Sequence, residues 1–92
     1  MALIYIVEDD DNIREIESIA LSNSGHDVTG FACSKDFKKE LAKRKPDLIL
    51  LDIMLPDEDG IEILKKLRAS GETKKIPVIL VTAKSTELDK VK

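Results

Sequence analysis

Two acidic groups in this chain stand where chemistry is expected. Glu8-Asp9 directly follows the apolar run Leu3-Ile4-Tyr5-Ile6-Val7, and Asp52 directly follows Leu48-Ile49-Leu50-Leu51. Each run has the length and continuity of a buried strand, and each acid sits where such a strand opens into a loop. In open α/β sheets, ligands bind at the edge beyond the carboxyl ends of the parallel strands. Parallel strands point the same way, so both acidic groups converge on that edge. Thr82, after the run Ile76-Pro77-Val78-Ile79-Leu80-Val81, joins them there. Clustered carboxylates repel and raise one another's pKa. A hard divalent cation relieves that repulsion, and Mg2+ suits such a set because it takes one or two carboxylates and leaves positions for phosphate oxygens. A cation-bound carboxylate with a hydroxyl nearby suits phosphoryl transfer onto the carboxylate, with Thr82 donating to a phosphoryl oxygen.

Positioning these residues requires strands that alternate with helices, and hydrophobic period and breakers supply that alternation throughout. Strands are expected at residues 3–7, 27–32, 47–51 and 76–81. Helices are expected at 12–22, with Ile13, Ile16, Ile19 and Ala20 on one face, at 34–44 with Phe37 and Leu41, and from about 60 to 70 with Ile61, Leu64 and Leu67. Asp11 and Ser34 read as caps of the first two helices, and Gly25 as the stop of the first. Asp57, Glu58 and Asp59 read as a solvated turn leading into the third helix at Gly60. A fourth helix is expected from Ser85 or Thr86, where Thr86-x-x-Asp89 has the form of a capping box. The expected fold is α/β: a doubly wound parallel sheet with about four strands and three to four helices.

Bulk properties narrow the function. Ninety-two residues permit one small domain. Charged residues make up 36% of the chain, and the net charge is -3, which does not favour general binding to nucleic acid or anionic membrane. A single cysteine, Cys33, excludes an internal disulfide framework and a zinc-thiolate site. A reduced, cytoplasmic setting is therefore expected. The apolar run after Met1 has no basic leader, so no secretory signal is expected, and no stretch approaches the ~18 apolar residues of a spanning helix. Neither acidic run has the register of a helix-loop-helix calcium site. His26, the single histidine, reads as a surface residue.

In their order and spacing, Val7-Glu8-Asp9-Asp10, Leu51-Asp52-Ile53-Met54-Leu55-Pro56, Asp59-Gly60 and Val81-Thr82-Ala83 resemble the receiver domain of a two-component response regulator. The resemblance covers essentially the whole chain. It implies a flavodoxin-like fold, a phosphoacceptor at Asp52, and an acidic pair at Glu8 and Asp9 that holds Mg2+. Asp9 and Asp52 would touch the metal directly and Glu8 through water, with a backbone carbonyl ligand at Met54 and a switch hydroxyl at Thr82. A sensor histidine kinase is the implied phosphoryl donor. The Asp52-to-Pro56 wording is most similar to regulators with a C-terminal winged-helix DNA-binding domain. That implies transcription regulation, with DNA contacted only through an output domain outside these residues. Receiver domains have five strands and five helices, so residues 1–92 are expected to form a C-terminally incomplete one. The family's lysine after the fifth strand and its aromatic switch residue have no counterpart; Lys74, Lys75, Lys84 and Lys90 do not occupy the end of a fifth strand.

Two other readings compete. An aspartate-nucleophile phosphatase similar to the haloacid-dehalogenase group would place a second Asp two residues after Asp52. That position is Met54, which cannot transfer a proton. A chain without a fifth strand would leave its fourth strand as a sheet edge, and an uncovered edge invites self-association.

Overall fold

The computed structural model describes residues 2–81. Four strands, β1 (Leu3–Val7), β2 (Asp27–Phe31), β3 (Leu48–Asp52) and β4 (Val78–Val81), alternate with three helices, α1 (Asp11–Asn23), α2 (Ser34–Lys43) and α3 (Gly60–Ala69). All pairings are parallel, and the strand order is β2-β1-β3-β4. The expected helix from Ser85 or Thr86, and Thr82 itself, lie outside the described residues.

Every residue of β1 is buried, as an inner strand covered on both faces requires. Its side chains divide between the faces. Leu3, Tyr5 and Val7 join Phe31, Ile49 and Leu51 in one core with Phe37 of α2 and Ile63 and Leu67 of α3. Ile4 and Ile6 point the other way, and Gly30, the partner of Ile6, lies beneath the Arg14 side chain of α1. The sheet is therefore doubly wound, with α1 on one face and α2 and α3 on the other. Tyr5, Phe31 and Phe37 meet edge to face, with ring centroids 5.2 to 6.3 Å apart. The buried Tyr5 ring keeps its hydroxyl satisfied by donating to the Arg44 carbonyl at 2.7 Å.

The boundaries differ from expectation where side chains decide them. Asp10, not Asp11, caps α1: its carboxylate accepts from the Asn12 and Ile13 amides at 2.9 and 3.1 Å. Asp47 stands before β3, where its carboxylate accepts from the Leu3 amide at 2.8 Å and ties the strand start to β1. Asp52 is the last residue of β3, paired with Val81. Strand β4 starts at Val78 because Pro77 has no N–H to donate; its carbonyl accepts from Ile49 at 3.0 Å. Helix α1 buries none of its residues fully, and Ile16 and Ile19 are 67% and 53% exposed. Among the described residues, no element covers that stripe.

The largest departure concerns the acidic turn after β3. Ser34 is not a cap but the first residue of α2, and Cys33, the N-cap, makes no side-chain bond. Asp57 caps the helix from across the chain, its two carboxylate oxygens accepting from the Ser34 and Lys35 amides at 3.0 and 3.1 Å. Glu58 accepts from the Ser34 hydroxyl at 2.8 Å and pairs with Lys38 of α2 and Lys66 of α3. Only 16% of its side chain is exposed. Asp57 and Asp59 are exposed, as a solvated turn implies, but Asp57 and Glu58 also fasten the loop to two helices.

Two expected outcomes test this packing. Phe37→Ala empties a fully buried ring site. Chemical denaturation should register a loss of about 3–5 kcal/mol, enough to leave a domain of this size marginal or unfolded. Hydrogen bonds from Lys38 and then Lys66 hold the Glu58 carboxyl at about 2, against an ordinary value of 4.5. A depressed acid contributes stability above its unfolded pKa and loses it as pH falls through the folded one. The stability gap between the native chain and Glu58→Gln, read by urea unfolding, should be full at neutral pH and close between pH 4.5 and 2.

Candidate functional site

Strand order reverses between β1 and β3: the chain proceeds from β1 outward to β2, then crosses back to β3 on the opposite side. Such a switch point opens a crevice at the carboxyl ends of the two strands. Glu8 and Asp9 follow β1 there, and Asp52 ends β3. The Glu8 amide donates to the Phe31 carbonyl at 2.9 Å, extending the β1–β2 ladder by one residue and fixing Glu8 at the rim. Each of Glu8, Asp9 and Asp52 brings a carboxylate oxygen within 4.8 Å of the others. Glu8 and Asp52 are each only 1% exposed, and Asp9 is half-buried.

Backbone amides face this charge. The Asp10 amide donates to Glu8 Oε2 at 3.0 Å, and the Met54 amide donates to Asp52 Oδ1 at 3.1 Å. Glu8 Oε1 is buried and meets no hydrogen-bond donor among the described residues. Burial pushes the Glu8 carboxyl up to about 7; the Asp10 amide opposes the rise, and the nearby Asp52 charge adds to it. Arg14 stands beside the cluster. Its guanidinium donates to the Glu8 carbonyl at 2.7 Å and pairs with Asp11. Lys74 and Lys75 precede β4 and so stand at the opposite edge of the sheet.

An all-oxygen donor set, two near-fully buried carboxylates and an unsatisfied carboxylate oxygen fit a hard divalent cation. The sequence placed Glu8, Asp9, Asp52 and Met54 together, and the structure brings all four to one crevice. The backbone around Asp52 is anchored on both sides: Ile53 donates to the Val81 carbonyl at 3.2 Å, and Gly60 donates to the Ile53 carbonyl at 2.8 Å. A Cβ at Gly60 would fall 2.3 Å from the Asp52 carbonyl oxygen, so only glycine lets α3 start so close to the strand end. Sequence reasoning placed Gly60 at a helix start but missed this contact; the Asp59-Gly60 pair was its visible signal. It missed Arg14 too, for which position 14 on a helix gives no cue. An open cleft of about 550 Å3 adjoins the acids, lined by Asp9 and residues 53–59.

Known proteins resemble this chain in sequence and fold. The profile of the response regulator receiver domain matches residues 4–92. Transcriptional regulatory protein AfsQ1 of Streptomyces coelicolor is 40% identical over 91 residues, covering 99% of this chain and 39% of that protein. The phosphate regulon transcriptional regulatory protein PhoB of Pseudomonas aeruginosa is 40% identical over 88 residues, covering 96% and 38%. The chain thus spans less than half the length of these relatives. Among solved structures, the Mn2+-bound form of response regulator Rcp1 superposes with a TM-score of 0.83 at 27% identity, over 99% of this chain and 72% of that one. None of the helices among the described residues is long and apolar enough to cross a membrane. With the flavodoxin-like sheet, the acids at its switch point and a match over nearly its whole length, the chain belongs to the response regulator receiver domain family, that of two-component signalling.

Proposed function

We propose that Asp52 accepts a phosphoryl group from a sensor histidine kinase, with Mg2+ held by Glu8, Asp9, Asp52 and the Met54 backbone carbonyl. The observation that carries this reading is the convergence of three carboxylates, two of them buried, within 4.8 Å at the switch point. When bound, the cation supplies charge that offsets the repulsion between these carboxylates and the incoming phosphoryl oxygens. In the transfer, an Asp52 carboxylate oxygen forms the new bond to phosphorus as the bond from phosphorus to the donor's histidine nitrogen breaks, and that nitrogen keeps the electron pair. The Met54 amide, already donating to Asp52 Oδ1, orients the carboxylate for attack. Thr82 follows Val81, the partner of Asp52, and its hydroxyl serves as the switch donor to the phosphoryl group.

The output is a changed partner surface rather than catalytic turnover. The similarity to transcriptional regulators supports a role in transcription control, with DNA bound by a separate output domain and the whole acting in the cytoplasm. Met54, two residues after Asp52, offers no acid for a phosphatase cycle. A second reading has its own support. Strand β4 is the edge of the sheet among the described residues, and Ile79 on it is exposed, so self-association through that edge is available.

Incubated with Mg2+ and a small acyl-phosphate donor, the chain should gain one phosphoryl group by intact-mass spectrometry. Asp52→Asn and omission of Mg2+ should each abolish the gain; addition that persists in Asp52→Asn would sink the assignment. For the edge reading, sedimentation should show dimers that a charge at the exposed position, Ile79→Lys, disperses. A chain that sediments as a monomer at high concentration would remove that reading.

A further inference from the structure

Asp57 and Glu58 are the acids that the site's chemistry does not use, yet they lie in the loop that carries Met54. One end of that loop is Asp52, on the sheet. The other is Asp59, which caps α3 through the Ile61 amide at 2.8 Å and bridges back to Met54. Residues 55–58 between them have no strand or helix to hold them. Leu55 packs against the core, and polar side chains hold the rest: Asp57 on the two N-terminal amides of α2, and Glu58 on Ser34, Lys38 and Lys66. Ser34 is 1% exposed, so its hydroxyl is a fixed point rather than a solvated one.

We infer that Asp57 and Glu58 are positioning residues for the cation site: by fastening the loop to α2 and α3, they hold the Met54 backbone beside Asp52. Neither acid need touch the cation. Each acts through the loop, and a loop freed at residues 57 and 58 would let residue 54 sample positions in which its carbonyl is not available. The inference rests on the proposed cation-dependent role of the Glu8, Asp9 and Asp52 cluster. It adds that affinity for the cation is set in part by charges on helices α2 and α3.

The test uses the full chain and Mn2+ alone, with affinity read from the relaxation enhancement of water protons and folding read by circular dichroism. Glu58→Ala should weaken Mn2+ binding by about tenfold, as loss of an outer support for a metal ligand commonly does. Should that variant unfold, Glu58→Gln decides, because it keeps an acceptor for Ser34 and loses only the ion pairs; about a twofold to fivefold weakening is expected. Reversing the charges, with Glu58→Lys, Lys38→Glu and Lys66→Glu together, should restore most of the affinity, as a role carried by the ion pairs requires. Glu62→Ala, removing an exposed pair with Lys65 on α3, should leave affinity unchanged. Native affinity in folded Glu58→Ala and Glu58→Gln, or a loss that the charge reversal leaves unrepaired, overturns the inference. A native chain that binds Mn2+ yet takes no phosphoryl group overturns the phosphoacceptor reading and leaves this inference standing. A native chain that binds no Mn2+ overturns both.

Discussion

Two like-charged groups buried at one crevice set the terms for the rest of this molecule. Glu8 and Asp52 stand at the ends of neighbouring parallel strands, out of water, each accepting from a backbone amide. Left to itself, such a pair relaxes by taking up a proton or by moving apart. The sheet forbids the second route. β1 is paired on both sides and buried on both faces, and Asp52 is itself inside the β3 ladder opposite Val81. The elevated Glu8 carboxyl shows where the cost is felt. A site that is already electrostatically unfavourable would gain from a cation, which is what the proposed Mg2+ role calls for.

Rigidity on the strand side contrasts with the support on the loop side. The strand ends are fixed by backbone ladders, which any sequence with the right apolar pattern can form. Loop residues 53–59 depend instead on particular side chains: Gly60 yielding space to the Asp52 carbonyl, Asp59 capping α3, and Asp57 and Glu58 reaching across to α2. Half the crevice is thus specified by topology and half by individual residues.

How legible this was from sequence follows the same division. The strands were readable because their apolar runs are nearly unbroken, and the acidic cluster because parallel strands force their carboxyl ends together. Pairwise side-chain reach was not readable. Asp57 and Ser34 are 23 residues apart, and nothing in local composition distinguishes an acid that caps a distant helix from one that faces water. Asp10 outcompeted Asp11 as a cap by geometry finer than any periodicity. The α1 stripe of Ile13, Ile16 and Ile19 was read correctly as a helical pattern, but a pattern does not say what lies against it, and Ile16 and Ile19 are exposed.

The remote cap on α2 also bears on the order in which the chain acquires structure. A helix of ten residues is marginal alone, and this one lacks the local side-chain bond that usually helps nucleation. Its N-terminal amides find their partner only after β3 has paired and the following loop has closed upon it. Completion of the α2 N-terminus is therefore a non-local event, coupled to closure of a long segment. Opening of the Asp57 contact in the native state would fray the start of α2 in the same motion, so that the loop and the first turn of the helix behave as one cooperative unit.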